Sequence, residues 1–287
     1  MKILYISLGC EIDYQTDCLL IGLKELFGDS VVDVNKAKQL YETFNPRNLL
    51  NYHGKGFTVG RVLPDLKVDR TDIESKIRKR YFDLIVYGSV WRLPVDNYLN
   101  LVMECYPKNR ICFIDGEDED YRLIDSISYG VPYFKRELSD KFNHIFPISF
   151  ALPTKHINIS QDKVRDHSYI TPLDRSTYVY KTEEPYFEDY RISRFGITMK
   201  KGGWDCMRHY EIMGQGCIPN FVDIDLCPRN TLANFPKEIC SQVLKDLQQE
   251  TPERVYDKWI MSLMDHFIKH NTTTALAKYV IDTMSSL

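Results

Sequence analysis

Short, almost wholly apolar runs alternate with longer segments of helical periodicity through the first half of the chain. KILYIS (Lys2–Ser7) is followed by Tyr14–Phe27, whose leucines and isoleucine recur at helical spacing. SVVDV, FDLIVYG (Phe82–Gly88) and RICFID (Arg110–Asp115) read as further strands, with a helix expected over Val95–Tyr106. Strands this apolar keep no polar face for water, so they are buried on both sides. Joined through helices, such strands run parallel, with helices on both faces of the sheet. VPYFKRE and IFPISFAL complete this half.

The segment Pro153–Ser168 is polar and aperiodic, and reads as a linker. A smaller α/β pattern follows: the strand FGITM (Phe195–Met199), a short helix after Asp205, the strand CIPNFVDI, and helices from about Lys237 to the end. The fold expected is α/β, with two Rossmann-like domains covering residues 1–155 and 156–287.

Composition narrows the function classes. With 44% hydrophobic and 27% charged residues, the 287-residue chain has no compositional case for disorder. A net charge of −3 supplies no global attraction to nucleic acid or anionic membrane, although a local basic groove stays open. No apolar run approaches the ~20 residues of a membrane span. MKILYISLGC reads as a first strand and not as a secretion signal. The eight cysteines form no CxxC pair, so we expect reduced core residues of a cytoplasmic protein and no structural zinc.

The stretch KKGGWDCMRHYEIMGQGCIPNF (Lys200–Phe221) carries the densest chemistry. Gly202 and Gly203 allow a sharp turn and close approach to a ligand, and Asp205 is placed to cap the helix that follows. The amides of the first turn, with Lys200 and Lys201 beside them, favour an anion there. Cys206, Tyr210 and Met213 make an apolar stripe, while Asp205, Arg208, Glu211 and Gln215 fall on another side. Arg208 can grip a phosphate with two parallel hydrogen bonds, and Glu211, one turn on, can accept both hydroxyls of a ribose. Trp204 would wall the pocket. The alternative is a surface Arg–Glu pair beside a glycine turn.

EIMGQGCIPNF (Glu211–Phe221) resembles the glutamate–glycine–proline segment in the C-terminal domain of GT-B-fold glycosyltransferases, in which the glutamate holds the donor ribose. The longer string from Phe195 to Leu232 is similar to bacterial and large-virus members of the spore-protein-like and exostosin-like groups. GKGFT, FDLIVYGSVWR and FIDGEDED carry a looser likeness. The resemblance implies two domains facing across a cleft and C-terminal helices packing back on the N-terminal domain. It also implies a nucleotide-sugar co-substrate, most simply a UDP-sugar, with no tightly bound cofactor and no metal. Arg175, near the start of the second unit, is a further candidate for the donor diphosphate. Many retaining members carry an acidic residue eight positions before the ribose glutamate. Gly203 stands there, which leaves the sugar-ring contact and the stereochemistry open.

Three other segments are candidates. After the first strand, Glu11 and Asp13 are positioned to act as a catalytic base on an acceptor hydroxyl, although Asp13 also suits a helix cap. In FIDGEDED, Asp115 and Glu117 lie at a strand's C-terminal end, where ligands gather in open α/β sheets. They are read as acceptor contacts; a metal site of the GT-A kind is the rival reading. YHGKGFTVGR (Tyr52–Arg61) has glycines without dinucleotide spacing, and its Lys55, Phe57 and Arg61 make a basic acceptor loop. The function expected is transfer of a sugar from a nucleotide sugar to an acceptor hydroxyl on a glycan. The alternatives are a hydroxylated DNA base as acceptor, with Lys76–Arg80 tracking phosphates, or an inactive nucleotide-binding module.

Overall fold

The computed structural model describes residues 1–65, 67–92, 98–119, 123, 130–140, 142, 144–160 and 162–287. Six parallel strands form the first sheet: β1 (Ile3–Ile6), β2 (Val31–Asp33), β3 (Leu84–Tyr87), β4 (Ile111–Asp115), β5 (Tyr133–Lys135) and β6 (Phe146–Pro147). Their order is β2-β1-β3-β4-β5-β6. Alternate side chains divide between two cores, as the two-residue period of a strand requires. Ile3, Tyr5, Val86 and Ile114 enter one core, which is covered by α1 (Tyr14–Phe27). Leu4, Ile6, Ile85 and Phe113 enter the other, under α3 (Ile73–Arg78) and α4 (Leu99–Cys105); the four-residue α2 (Pro46–Leu49) lies between β2 and α3 in sequence. The helix expected over Val95–Tyr106 thus begins at Leu99, and residues 95–97 lie outside the described residues.

Three parallel strands make the second sheet, in the order β7 (Arg165–His167), β8 (Ser193–Thr198), β9 (Ile218–Phe221). Strand β7 falls inside the expected linker. It is a polar edge strand, and its pairing with β8 supplies the order that its side chains do not signal. Around this sheet lie α5 (Glu183–Arg191), α6 (Met207–Gly214), α7 (Lys237–Asp246) and α8 (Pro252–His270). Phe195, Tyr210, Met213, Ile218 and Phe267 form the core on one face.

The last helix, α9 (Thr273–Ser285), returns to the first unit and packs on α1. The approach is so close that a Cβ added at Gly22 would lie 1.9 Å from the Thr273 carbonyl oxygen, so this position admits only glycine. Backbone bonds from Leu152 N–H to Asn271 O and from Thr273 N–H to Leu152 O join this return to the junction between the units. All eight cysteines are free, and Cys18, Cys112, Cys217 and Cys240 are buried. Among the described residues, no helix is long and apolar enough to cross a membrane.

Candidate functional site

Strand order reverses between β1 and β3, and a cleft of about 1020 Å³ opens at the C-terminal ends of the strands there. Its walls come from the loop after β1 (Cys10–Tyr14), Arg92 after β3, Gly116–Asp118 after β4, Arg136 after β5, Phe150, and the segment from Phe44 to His53. Asp13 caps α1, accepting the Thr16 N–H at 3.2 Å, and its own N–H donates to Asp17 at 3.0 Å. Burial, then the neighbouring Asp13 charge, pushes the Asp17 carboxyl well above the usual range. Glu11 stands on the rim with its side chain 61% exposed. The Arg92 guanidinium bridges Glu11 at 3.5 Å and Glu117 at 3.6 Å. Glu117 is half-buried, and loss of water raises its pKa. Glu11, Asp13 and Glu117 all line this one cavity.

Asp115 does not join them. It is fully buried, paired with buried Lys135 at 3.1 Å, and accepts hydrogen bonds from Tyr133 Oη at 2.6 Å and the Glu117 N–H at 3.0 Å. With its oxygens engaged inside the protein it contacts no acceptor, contrary to expectation. Among the described residues, no three His, Cys, Asp or Glu side chains converge on a point where a metal would sit.

Arg136, which sequence reading did not single out, links the cleft to the glycine stretch. Its guanidinium is 2% exposed and donates to Gly116 O, Asp205 O, Glu137 and Asp118, beneath the Phe150 ring. The signal available was KRE at the end of a strand, a pattern too common to single out. The glycines make room for this network and not for a ligand. A Cβ on Gly203 would lie 2.4 Å from Glu137 Oε1, and one on Gly202 would lie 2.4 Å from Asp118 Oδ2. Asp205 is not the cap of α6, because Cys206 holds that position without a side-chain bond. Instead Asp205 is buried, accepting from Phe150 N–H at 2.7 Å and Tyr210 Oη at 2.9 Å, and burial raises its pKa to about 7.

The two lysines diverge. Lys200 lies over the half-buried Trp204 ring at 5.1 Å. Lys201 donates to the Pro172 carbonyl, and its pKa is lowered by loss of water and then by the charges of Arg208 and Arg175. Of these cations only Arg208 belongs to α6 itself, in its first turn. Arg208 donates one hydrogen bond, from Nη2 to Tyr178 Oη at 3.0 Å. Its Nε and Nη1 are buried and have no partner among the described residues. His209 is structural: it is fully buried between Thr198 Oγ1 and the Trp204 carbonyl, with its pKa pushed down to about 3 by burial.

The expected polar face of α6 does not exist, because every residue of the helix except Arg208 is buried. Glu211 is 5% exposed, and both its oxygens are taken, one by Thr58 Oγ1 and the other by Tyr186 Oη. It cannot hold a ribose in this conformation. The basic loop Tyr52–Arg61 is likewise no open acceptor platform. Phe57 packs on Tyr186 with ring centroids 5.9 Å apart, and Arg61 spends its guanidinium on the Glu42 carbonyl. Lys55 alone projects outward, its ammonium 6.0 Å from the Phe57 ring. In the run Lys76–Arg80, Lys76 pairs with Asp69 and Arg78 with Glu74.

Comparison with protein-family models finds none that matches the chain, and comparison with curated proteins finds no match either.

Proposed function

We propose that this chain is a glycosyltransferase of two-domain GT-B type, moving a sugar from a nucleotide diphosphate donor, a UDP-sugar, to a hydroxyl of a glycan acceptor. The acceptor occupies the 1020 Å³ cleft at the strand ends, and the donor diphosphate lies on Arg208 in the first turn of α6, with Lys201 and Arg175 adding positive charge that Lys201 already feels. One observation carries this reading: the Arg208 guanidinium keeps two buried N–H groups without a partner. Buried donors left unmatched are costly, and a phosphate oxygen beside Arg208 would supply the missing acceptors.

The chemistry asks for two things. Breaking the anomeric bond places charge on the leaving diphosphate, which the Arg208 guanidinium and the α6 amides offset. The acceptor hydroxyl must lose a proton. Asp13 and Glu117 are the cleft carboxylates placed to take it, and the raised pKa of Glu117 brings it nearer the working range of a general base.

A melting-temperature screen of nucleotide sugars and free nucleotides tests the proposal. Donors of one base should stabilise the parent protein, and Arg208→Met should abolish the shift. If no nucleotide shifts the melting point of the parent, the proposal fails.

A further inference from the structure

One short segment reaches from the cleft to the buried side of α6. Residues Asn51, Tyr52 and His53 wall the cleft, while Phe57 and Thr58, a few residues on, cover α5 and α6. Tyr14 stands beside this segment. It lines the cleft, a Cβ on Gly54 would touch its hydroxyl, and its pKa is raised by burial and by the Glu211 charge.

Thr58 is the residue that anchors the segment, and it does so under strain. Its φ is +74°, a left-handed conformation that a β-branched side chain rarely adopts, and it is fully buried. Gly54, Lys55, Gly56 and Arg61 share positive φ, so five residues of one short segment are left-handed. Three contacts hold Thr58 there. Its hydroxyl donates to Glu211 Oε1, its N–H donates to Glu183 Oε1, and Phe57 beside it rests on Tyr186. Two hydroxyls, from Thr58 and Tyr186, thereby saturate the two oxygens of one buried carboxylate. Backbone strain of this kind clusters at active sites, ligand clamps and switch segments.

We infer that segment 52–61 is an intramolecular plug, and that the Thr58 hydroxyl stands where a hydroxyl of the nucleotide ligand binds. The inference rests on the donor site proposed above and deepens it. The plugged form keeps Glu211 from a ligand that needs it together with Arg208. Withdrawing the plug frees the Glu211 carboxylate, so that Glu211 and Arg208 hold one ligand only once that ligand has displaced Thr58.

Hydrogen exchange read by mass spectrometry tests this, with UDP as the probe. Binding of UDP should speed exchange over residues 53–61 while slowing it over 201–211. Thr58→Val keeps the shape and removes the hydroxyl. It should bind UDP about tenfold more tightly, the worth of one competing hydrogen bond to a carboxylate, whereas Thr58→Ser should bind like the parent. A contact that only holds the fold together would leave UDP affinity unchanged or weaken it in Thr58→Val. Slower exchange over 53–61 on binding, or weaker binding by Thr58→Val, overturns the plug. If UDP binds neither protein, the donor proposal has failed. The plug is then judged on the free protein: exchange over 53–61 as slow as in β1 and β3 overturns it, and markedly faster exchange in both Thr58→Val and the parent supports it.

Discussion

Replacing Arg208 by methionine should make the protein more stable while destroying its ligand site. The estimate follows from the contacts. Two buried N–H groups without a partner each cost about 1–3 kcal/mol in lost hydration. Against this, the substitution gives up the bond to Tyr178 Oη, worth about 1 kcal/mol, and the stacking over that half-exposed ring, about 0.5–1 kcal/mol. It also removes a positive charge near Glu211. The Glu211 carboxyl already sits above its usual range through burial, so it answers by taking up a proton, at a cost on the order of 1 kcal/mol. Methionine keeps the apolar packing of the arginine stem. The balance is a net gain of about 1 kcal/mol, or about 2–4 °C in Tm for a chain of this size. With a nucleotide at a hundred times its Kd, the parent gains about 2.7 kcal/mol and the variant gains nothing. Differential scanning calorimetry with and without nucleotide reads both effects. A variant that melts lower than the parent yet keeps the ligand shift would show that Arg208 is a structural residue and would refute the reasoning.

Other expectations follow from the same network. Asp205 has a folded pKa of about 7 against an ordinary carboxylate value, so its contribution to stability is complete at low pH and is lost as pH rises towards 7. Urea titrations from pH 4 to 8 should show Asp205→Asn flattening that slope relative to the parent, by at most about 4 kcal/mol across the window; parallel curves would place the charge elsewhere. Gly203→Ala drives a Cβ into Glu137 against buried Arg136 and should cost about 1–3 kcal/mol, whereas Gly202→Ala meets only the far end of exposed Asp118 and should lie within about 0.5 kcal/mol of the parent. Equal effects at the two positions, read by denaturant midpoint, would contradict this packing. Asp115→Ala strands the buried Lys135 ammonium and should cost about 3–5 kcal/mol, against little effect if Asp115 served an acceptor.

The first sheet is legible from local pattern because a parallel strand covered on both faces must be apolar throughout. KILYIS, SVVDV, FDLIVYG and RICFID satisfy that condition, and β1, β2, β3 and β4 lie within them. Helix α1 is legible for a comparable reason, since its periodicity and its Asp13 cap are both local. The sequence places Glu11, Asp13 and Glu117 in loops after β1 and β4, and the fold brings those two loops to one cleft. What the sequence did not reveal is which groups were spoken for. Strand β7 is polar and ordered only by its neighbour, and α5 (EEPYFEDYR) is rich in charge although Tyr190 and Asp189 are buried.

Helix α6 shows the divide most clearly. Its position and its lone half-open cation, Arg208, follow from residues close together in the chain. The closing of Glu211 depends on Thr58, 153 positions away, and the burial of Asp205 on Arg136 and Phe150. Spacing along a helix states which side chains share a side. It does not state whether that side meets water or another part of the protein, and this depends on contacts between distant segments that only the folded chain brings together.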